Sequence, residues 1–358
     1  MKILIDIGHP AHVHYFKNFI FKTIEAGHKI KIVARNKEVT LDLLSSYNLD
    51  FEDRGRGGAS FLNKLLYFPY AILKFFIYSS KFKPDYFLSF ASPYLPLVSW
   101  FFKKPLITID DTEHDKLTHT IYKPFSSLII TPTYFQKNLG EKHVKINTIF
   151  ELGSLHPDVF KPNKLFLKKL NPNNRQYALL RFVEWNATHD LNEKGFSVEL
   201  KEQIVNELSK YLKVYISSEG VLPKNLEKYR LKISPERIHD ILYGAEVFIG
   251  DSGTMTVEAA LLGTPSIMFS STAKKLGNFI SLRDEYSLLI LCDEENDLLN
   301  STKDLVNNKN HKRIWNERSK KFMNSKINFT EFLFWLFEDY HNNSNKLLKD
   351  KFINDYPI

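Results

Sequence analysis

The sequence predicts an α/β protein of two doubly wound domains, and three observations carry that prediction. Short β-branched and aromatic runs alternate with longer amphipathic stretches in strand–loop–helix–strand order, which implies parallel pairing. The runs fall into two series, separated by Leu152–Phe166, where Gly153, Pro157 and Pro162 interrupt the pattern. At 358 residues the chain is long enough for two cores.

In the first series, Lys2–Ile7 reads as an apolar strand, Gly8–His14 as the loop after it, and Tyr15–Ala26 as a helix closed by Gly27. Lys29–Ala34, Asp85–Ser89, Leu106–Ile109 and Ser127–Thr131 read as the next strands. The second series runs Tyr177–Arg181, Val214–Ser217, Val247–Ile249, Ser266–Phe269 and Leu288–Leu291. Phe329–Phe337 then reads as an aromatic helix, and Asn342–Ile358 as a polar tail. In such sheets ligands bind beyond the carboxyl ends of the strands, so function is sought in the loops that follow them.

Composition narrows the class. With 43% hydrophobic and 25% charged residues, the chain reads as globular. A single cysteine, Cys292, excludes a disulfide scaffold within a monomer and fits a reducing compartment. Lys2 is followed by only three apolar residues before Asp6, so no signal peptide is expected, and no apolar run approaches the roughly 20 residues that span a bilayer. A cytoplasmic location follows. The net charge of +8 asks for an anionic partner. Nucleic acid is not expected, because the lysines are scattered and no zinc-ligand, helix-turn-helix or RNP-like pattern is present. Phe61–Lys83 interleaves aromatics with Lys64, Lys74, Lys81 and Lys83 around Pro69, and suits either a core helix or peripheral contact with the inner face of a membrane.

The most informative stretch is Gly250-Asp-Ser-Gly-Thr254, a small polar turn between the strand Val247–Ile249 and a helix pattern over Met255–Leu262 closed by Gly263. Asp251, Ser252, Gly253 and Thr254 place backbone N–H groups and hydroxyls at a helix N-terminus, where a phosphate is favoured. Glu258 falls one turn further, on the face that reaches a ribose hydroxyl. An ordinary turn whose Ser and Thr cap the helix would have the same composition.

Other clusters follow other strands. Gly8-His-Pro-Ala-His-Val-His14 carries three histidines, but no Cys or Glu completes a zinc set, so no metal site is expected. A histidine there donates to a phosphate or acts as a base, and His12 and His14 are the candidates, with Gly8 and His9 beside them; a cap or a packed ring accounts for one of the three. Asp110-Asp-Thr-Glu-His114 crowds carboxylates, which raises the pKa of one of them toward a value suited to proton abstraction. Glu113 or Asp111 is the candidate base, with His114 second; a solvated acidic loop capping a helix is the alternative. Arg181 ends a strand, with Trp185, Asn186 and His189 in the loop beyond it, and Ser217, Ser218 and Glu219 end another.

The turn at Gly250–Thr254, with Glu258 and Leu262-Gly-Thr-Pro265, resembles the donor-site turn of GT-B glycosyltransferases and of the related UDP-N-acetylglucosamine 2-epimerases. Met1–Phe16, Asp110–His114 and Arg181-Phe-Val-Glu-Trp-Asn-Ala-Thr-His189 narrow the resemblance to an uncharacterised bacterial and archaeal family of GT-B glycosyltransferases, over about residues 1–330. The resemblance implies an acceptor domain over 1–160, a nucleotide-sugar domain over 161–327, a cleft between them, and a segment 328–358 whose helix crosses back to the first domain. It also implies a role for Arg181 against the donor diphosphate and for His239, in Ile238-His-Asp-Ile241, near the nucleotide base.

The expected function is transfer of a sugar from a nucleotide-diphosphate sugar, a UDP-sugar first, to a hydroxyl of a glycan or lipid-linked acceptor in envelope polysaccharide or glycoconjugate synthesis. Metal and cofactor are not called for: a helix N-terminus and an arginine can hold the diphosphate, and no Asp-x-Asp pair is evident. A nucleotide-sugar 2-epimerase and a non-catalytic nucleotide-sugar-binding protein are the alternatives.

Overall fold

The computed structural model describes residues 1–58, 61–183, 195–218, 220–271 and 277–354. Two compact units emerge, one formed by Met1–Val159 with Lys326–Ile358 and the other by Phe160–Ser325.

The first unit runs β1 (Lys2–Ile7), α1 (Pro10–Glu25), β2 (Lys29–Ala34), α2 (Thr40–Ser46), β3 (Phe51–Asp53), α3 (Phe61–Phe82), β4 (Tyr86–Phe90), α4 (Leu95–Phe102), β5 (Leu106–Ile109), α5 (Lys116–Tyr122), β6 (Leu128–Pro132), β7 (His143–Ile146) and α6 (Leu152–Leu155). The second follows as α7 (Lys164–Leu170), β8 (Tyr177–Phe182), α8 (Val198–Ser209), β9 (Lys213–Ser218), α9 (Ile238–Gly244), β10 (Val247–Gly250), α10 (Gly253–Leu261), β11 (Ser266–Phe269), α11 (Gly277–Asp284), β12 (Leu289–Cys292), α12 (Glu295–Asn307) and α13 (His311–Asn324). The chain then adds α14 (Phe329–Glu338), α15 (Tyr340–Asp350) and β13 (Phe352–Ile353) to the first unit.

Both sheets are parallel, ordered β13-β7-β6-β5-β4-β1-β2-β3 and β12-β11-β10-β8-β9. Their central strands are apolar on both faces, as a sheet covered by helices requires: Ile3, Leu4, Ile5 and Ile7 of β1 and Leu106, Ile107 and Ile109 of β5 are fully buried. The expected α/β class holds, and the five strands expected in the second series are all present.

Three expectations are corrected. The loop Gly8–His14 is mostly helix, because α1 starts at Pro10, with His9 as N-cap. Pro10 reads as a breaker in sequence, yet the first helical position suits proline, whose missing N–H has no partner there anyway. The helix after β10 likewise starts at Gly253 rather than Met255. Finally, Asn342–Ile358 is not simply a polar tail: α15 buries Leu347, and Ile353 pairs in β13 with Ile146 of β7.

Phe16 and Phe19 of α1 meet Phe329 and Phe337 of α14 at ring-centroid distances of 6.5 and 5.4 Å. Gly153, in the segment that separates the two series in sequence, serves a close approach. A Cβ there would lie 2.2 Å from the Tyr15 carbonyl oxygen. Its own carbonyl accepts from Asn18 Nδ2 at 2.7 Å and from the Thr330 hydroxyl at 3.0 Å, tying α6 to α1 and α14.

Candidate functional site

Each unit carries its own set of candidate residues at the carboxyl ends of its strands. In the first unit, β5 ends at Ile109 and hands over to two aspartates with opposite fates. Asp110 is fully buried and spent: it accepts from the Thr112 N–H at 2.8 Å and the Tyr122 hydroxyl at 2.6 Å, and His119 Nε2 lies 3.1 Å away. Asp111 is half-buried, and its carboxyl is pushed up to about 7, by desolvation first and then by the charges of Asp110 and Glu113, against a hydrogen bond from the Thr112 hydroxyl. Glu113 is tied down at Oε1 by the Gln136 N–H at 3.0 Å, and its carbonyl accepts from Lys137 Nζ. His114 is exposed.

Tyr134, beyond β6, belongs with this acidic group. Burial, and then the charges of Asp111, Glu151 and Glu113, raise its hydroxyl well above the ordinary tyrosine range. That hydroxyl is buried without a hydrogen-bond partner among the described residues, a state that a bound polar ligand would relieve. Glu151, itself buried, accepts from the Tyr15 hydroxyl at 3.4 Å.

The three histidines separate. His9 caps α1 by accepting the Ala11 N–H at 3.1 Å, and lies 3.8 Å from Glu38. His14, placed by sequence on a loop facing a ligand, is buried on α1 with its ring edge-on to Tyr47, because helix periodicity turns it inward. His12 stays at the rim, stacked 4.5 Å from Phe90, with Nδ1 accepting the Gly8 N–H at 3.3 Å. Desolvation, followed by His9, Lys37 and Arg54, holds its pKa well below 6.5, so the ring is neutral with its proton on Nε2. His12 is therefore a donor rather than a base.

Sequence reasoning missed Arg54, just past β3. It is 2% exposed and ion-paired to Asp6 at 3.1 Å, with Nη1 donating to the Tyr67 hydroxyl at 2.6 Å and the guanidinium 4.8 Å from the Tyr94 ring centroid. A Cβ at Gly8 would sit 3.6 Å from Arg54 Nη2, so the guanidinium reaches the same rim as His12. The available signal was Asp6, a lone acid inside an apolar strand, which calls for a buried cation. Glu151 and Tyr134 carried no comparable signal.

In the second unit, α10 points its N-terminus at the rim. Ser252, Gly253 and Thr254 are half-exposed, and the N-cap Ser252 hydroxyl makes no capping bond, so the first-turn amides retain the donors that no helical carbonyl can take. Gly250 lets the strand end pass close to β8: a Cβ there would lie 2.9 Å from the Arg181 carbonyl oxygen. Arg181 Nη1 donates to the Ser217 hydroxyl at 2.8 Å, which brings these two candidates together. The Ser218 hydroxyl donates to the Gly220 carbonyl at 3.2 Å.

Two sequence assignments change here. Asp251, expected to touch substrate, is buried and accepts the Val183 N–H at 2.9 Å, so it holds the turn against the end of β8. Glu258, expected to face a ribose, is also buried, 3.1 Å from His239 Nε2. The spacing between α9 and α10 in sequence hides that pairing. Asn186, with Trp185, His189 and Glu219, lies outside the described residues. Among the described residues no cluster of His, Cys, Asp and Glu is arranged to hold a metal ion, and no helix is long and apolar enough to cross a membrane.

Solved structures share this fold across nearly the whole chain. UDP-GlcNAc 2-epimerase from Neisseria meningitidis, bound to UDP-GlcNAc, matches with a TM-score of 0.62 at 14% identity, covering 98% of this chain and 99% of that one. The spinosyn rhamnosyltransferase SpnG, complexed with spinosyn aglycone, matches with a TM-score of 0.63 at 11% identity, covering 96% and 100%. At these identities the likeness shows the fold: the two units are the Rossmann-like domains of the GT-B architecture. An uncharacterised protein of Methanocaldococcus jannaschii is 22% identical over 278 residues, 75% of this chain and 81% of that protein. The model of one family matches residues 1–327, and the chain belongs to that family, described as "Protein of unknown function (DUF354)".

Proposed function

We propose that the protein is a GT-B glycosyltransferase that moves a sugar from a nucleotide-diphosphate sugar, a UDP-sugar first, to a hydroxyl acceptor. The observation that carries this reading is Asp111, a carboxyl raised to about 7 at the end of a central strand, where a general base working near neutrality belongs. Glu113, the other candidate, has one oxygen committed to Gln136. In the reaction the acceptor hydroxyl gives its proton to Asp111 as its oxygen bonds to the anomeric carbon. The bond from that carbon to the diphosphate oxygen breaks, and the electron pair leaves with the nucleoside diphosphate. The α10 amides, Ser252 and Arg181 stabilise the departing charge. His12 donates from Nε2 to substrate, and the Tyr134 hydroxyl finds its partner there.

The acidic group of Asp111, Glu113 and Glu151 around Tyr134 favours a second reading, a 2-epimerase, since removing and returning a carbon-bound proton needs more than one acid–base group. Thermal shift against UDP, GDP, CDP, CMP, ADP and their common sugars is the first test, because a ligand of the folded state raises its midpoint. The bound sugar nucleotide is then incubated with and without hydroxyl acceptors, and the products are separated. Acceptor-dependent release of nucleoside diphosphate is the expected result. A changed sugar without acceptor would establish the epimerase, and binding without turnover a non-catalytic binder. A folded sample that no nucleotide shifts would remove the donor site.

A further inference from the structure

We infer that the exposed faces of α3 and α4 form a docking surface for an anionic lipid bilayer. The face of α3 that turns inward is complete without them: Ala71, Phe75 and Ser79 are fully buried against the first unit's sheet. The opposite face is apolar where a solvated helix would be polar. Leu66, Tyr70, Leu73 and Ile77 follow one another at helical spacing and are 65%, 44%, 57% and 41% exposed, with Leu65 beside them. From α4, Leu97, Trp100 and Phe101 are exposed with the same i, i+3, i+4 spacing. Phe76 and Phe101, 4.5 Å apart between ring centroids, join the two rows into one patch. Scattered surface hydrophobics need no explanation, but a continuous patch of this kind marks an interaction site.

The charge around the patch selects the partner. Residues 61–109 contain six lysines against one acid, Asp85, which accepts the Lys2 N–H and lies 3.9 Å from Lys104. Lys74 and Lys81 fall at the edge of the α3 stripe, and Lys103 and Lys104 follow α4. Lys74 Nζ lies 5.6 Å from the Tyr70 ring centroid and 5.9 Å from that of Tyr78, so its stem runs along aromatic surface while its charge reaches outward. Apolar and tryptophan side chains rimmed by lysines match the acyl boundary and the anionic headgroups respectively. A second protein would need acids placed to meet each lysine; an anionic leaflet meets them all. With one face held in the core, α3 lies on the bilayer rather than through it.

Flotation of the purified chain with vesicles tests this. The protein is expected to rise with phosphatidylcholine vesicles containing phosphatidylglycerol and to stay behind with phosphatidylcholine alone, less so as salt is raised. Leu73→Ser with Trp100→Ser should abolish flotation. Lys74→Glu with Lys81→Glu should weaken partition by at least about tenfold, since each lysine near an anionic surface contributes about fivefold. These positions are solvent-facing, so unfolding midpoints should match the parent. A parent protein that never floats would overturn the proposal, as would flotation that neither double variant reduces or that salt leaves unchanged. A dimer that Leu73→Ser with Trp100→Ser splits, with no flotation, would give the patch to a second copy instead.

Discussion

At the carboxyl rim of the first unit's sheet stand Asp111, Glu113, Glu151, Tyr134 and the neutral ring of His12. At the rim of the second stand Ser217, Ser252, Arg181 and the open amides of α10. One set can move a proton and the other can hold an anion, yet both are built the same way. Each strand end spends one aspartate on anchoring: Asp110 takes the Thr112 N–H, and Asp251 takes the Val183 N–H. The residue directly after each anchor, Asp111 or Ser252, is then left at the rim in a fixed place. The candidate side chain thus sits one position beyond the anchoring one at both strand ends.

The largest effect should come from Asp111→Asn, which removes the proposed base. Turnover is expected to fall by about 10²–10⁴-fold while the thermal shift produced by nucleotide is unchanged. Equal loss of nucleotide binding would erase the division between the two rims. Asp110→Ala should act on folding instead, at about 1–3 kcal/mol for each donor left unpaired, because it removes the acceptor of the Thr112 N–H and of the Tyr122 hydroxyl. Tyr122→Phe, losing one hydrogen bond, should cost about 1 kcal/mol. Denaturant titration orders the three, and a parent-like midpoint for Asp110→Ala would refute the anchor.

Glu258 sharpens the second rim. Glu258→Gln keeps the side chain's shape beside His239 and removes its charge, so the fold should hold while nucleotide affinity falls by about tenfold, as expected of a buried carboxylate that orders the α10 rim through its neighbour rather than by touching the ligand. Glu258→Ala should add about 1–3 kcal/mol of destabilisation, since the buried His239 then faces a void where its carboxylate was. Unchanged affinity in the glutamine variant, read by calorimetry, would make the His239–Glu258 pair purely structural.

Legibility in the sequence tracked how local each feature is. The buried strands show because both faces are apolar, and the turn after β10 shows because Gly250 and Gly263 mark its start and the far end of its helix. Edge strands β3 and β13 escaped, being two or three residues long, and so did β7, where His143 and Lys145 interrupt the apolar run although Val144 and Ile146 are buried. Rim residues were found where they cluster in sequence, as at Asp110–His114. They were missed where the fold assembles them from a distance, as with Glu151 and Tyr15, 136 positions apart. Burial misled in the other direction: His14, Asp251 and Glu258 have reactive side chains, but a helix face or a turn commits each of them inside.

A pH-dependent effect isolates Asp111 from catalysis altogether. Its carboxyl titrates near 3.8 in the unfolded chain and at about 7 in the folded one, so between those values the native state binds more protons. Stability contributed by this group is therefore present at low pH and is lost as pH rises through 7. Asp111→Asn cannot ionise and escapes the loss. The variant should match the parent near pH 4 and become the more stable protein by pH 8. Solvent screening at a half-buried position limits the gain to about 1–2 kcal/mol, or roughly 2–8 °C in Tm for domains of this size. A Tm difference that stays flat from pH 4 to 8 would mean the carboxyl is not raised, and the proton-moving rim would then have to be rebuilt around Glu151.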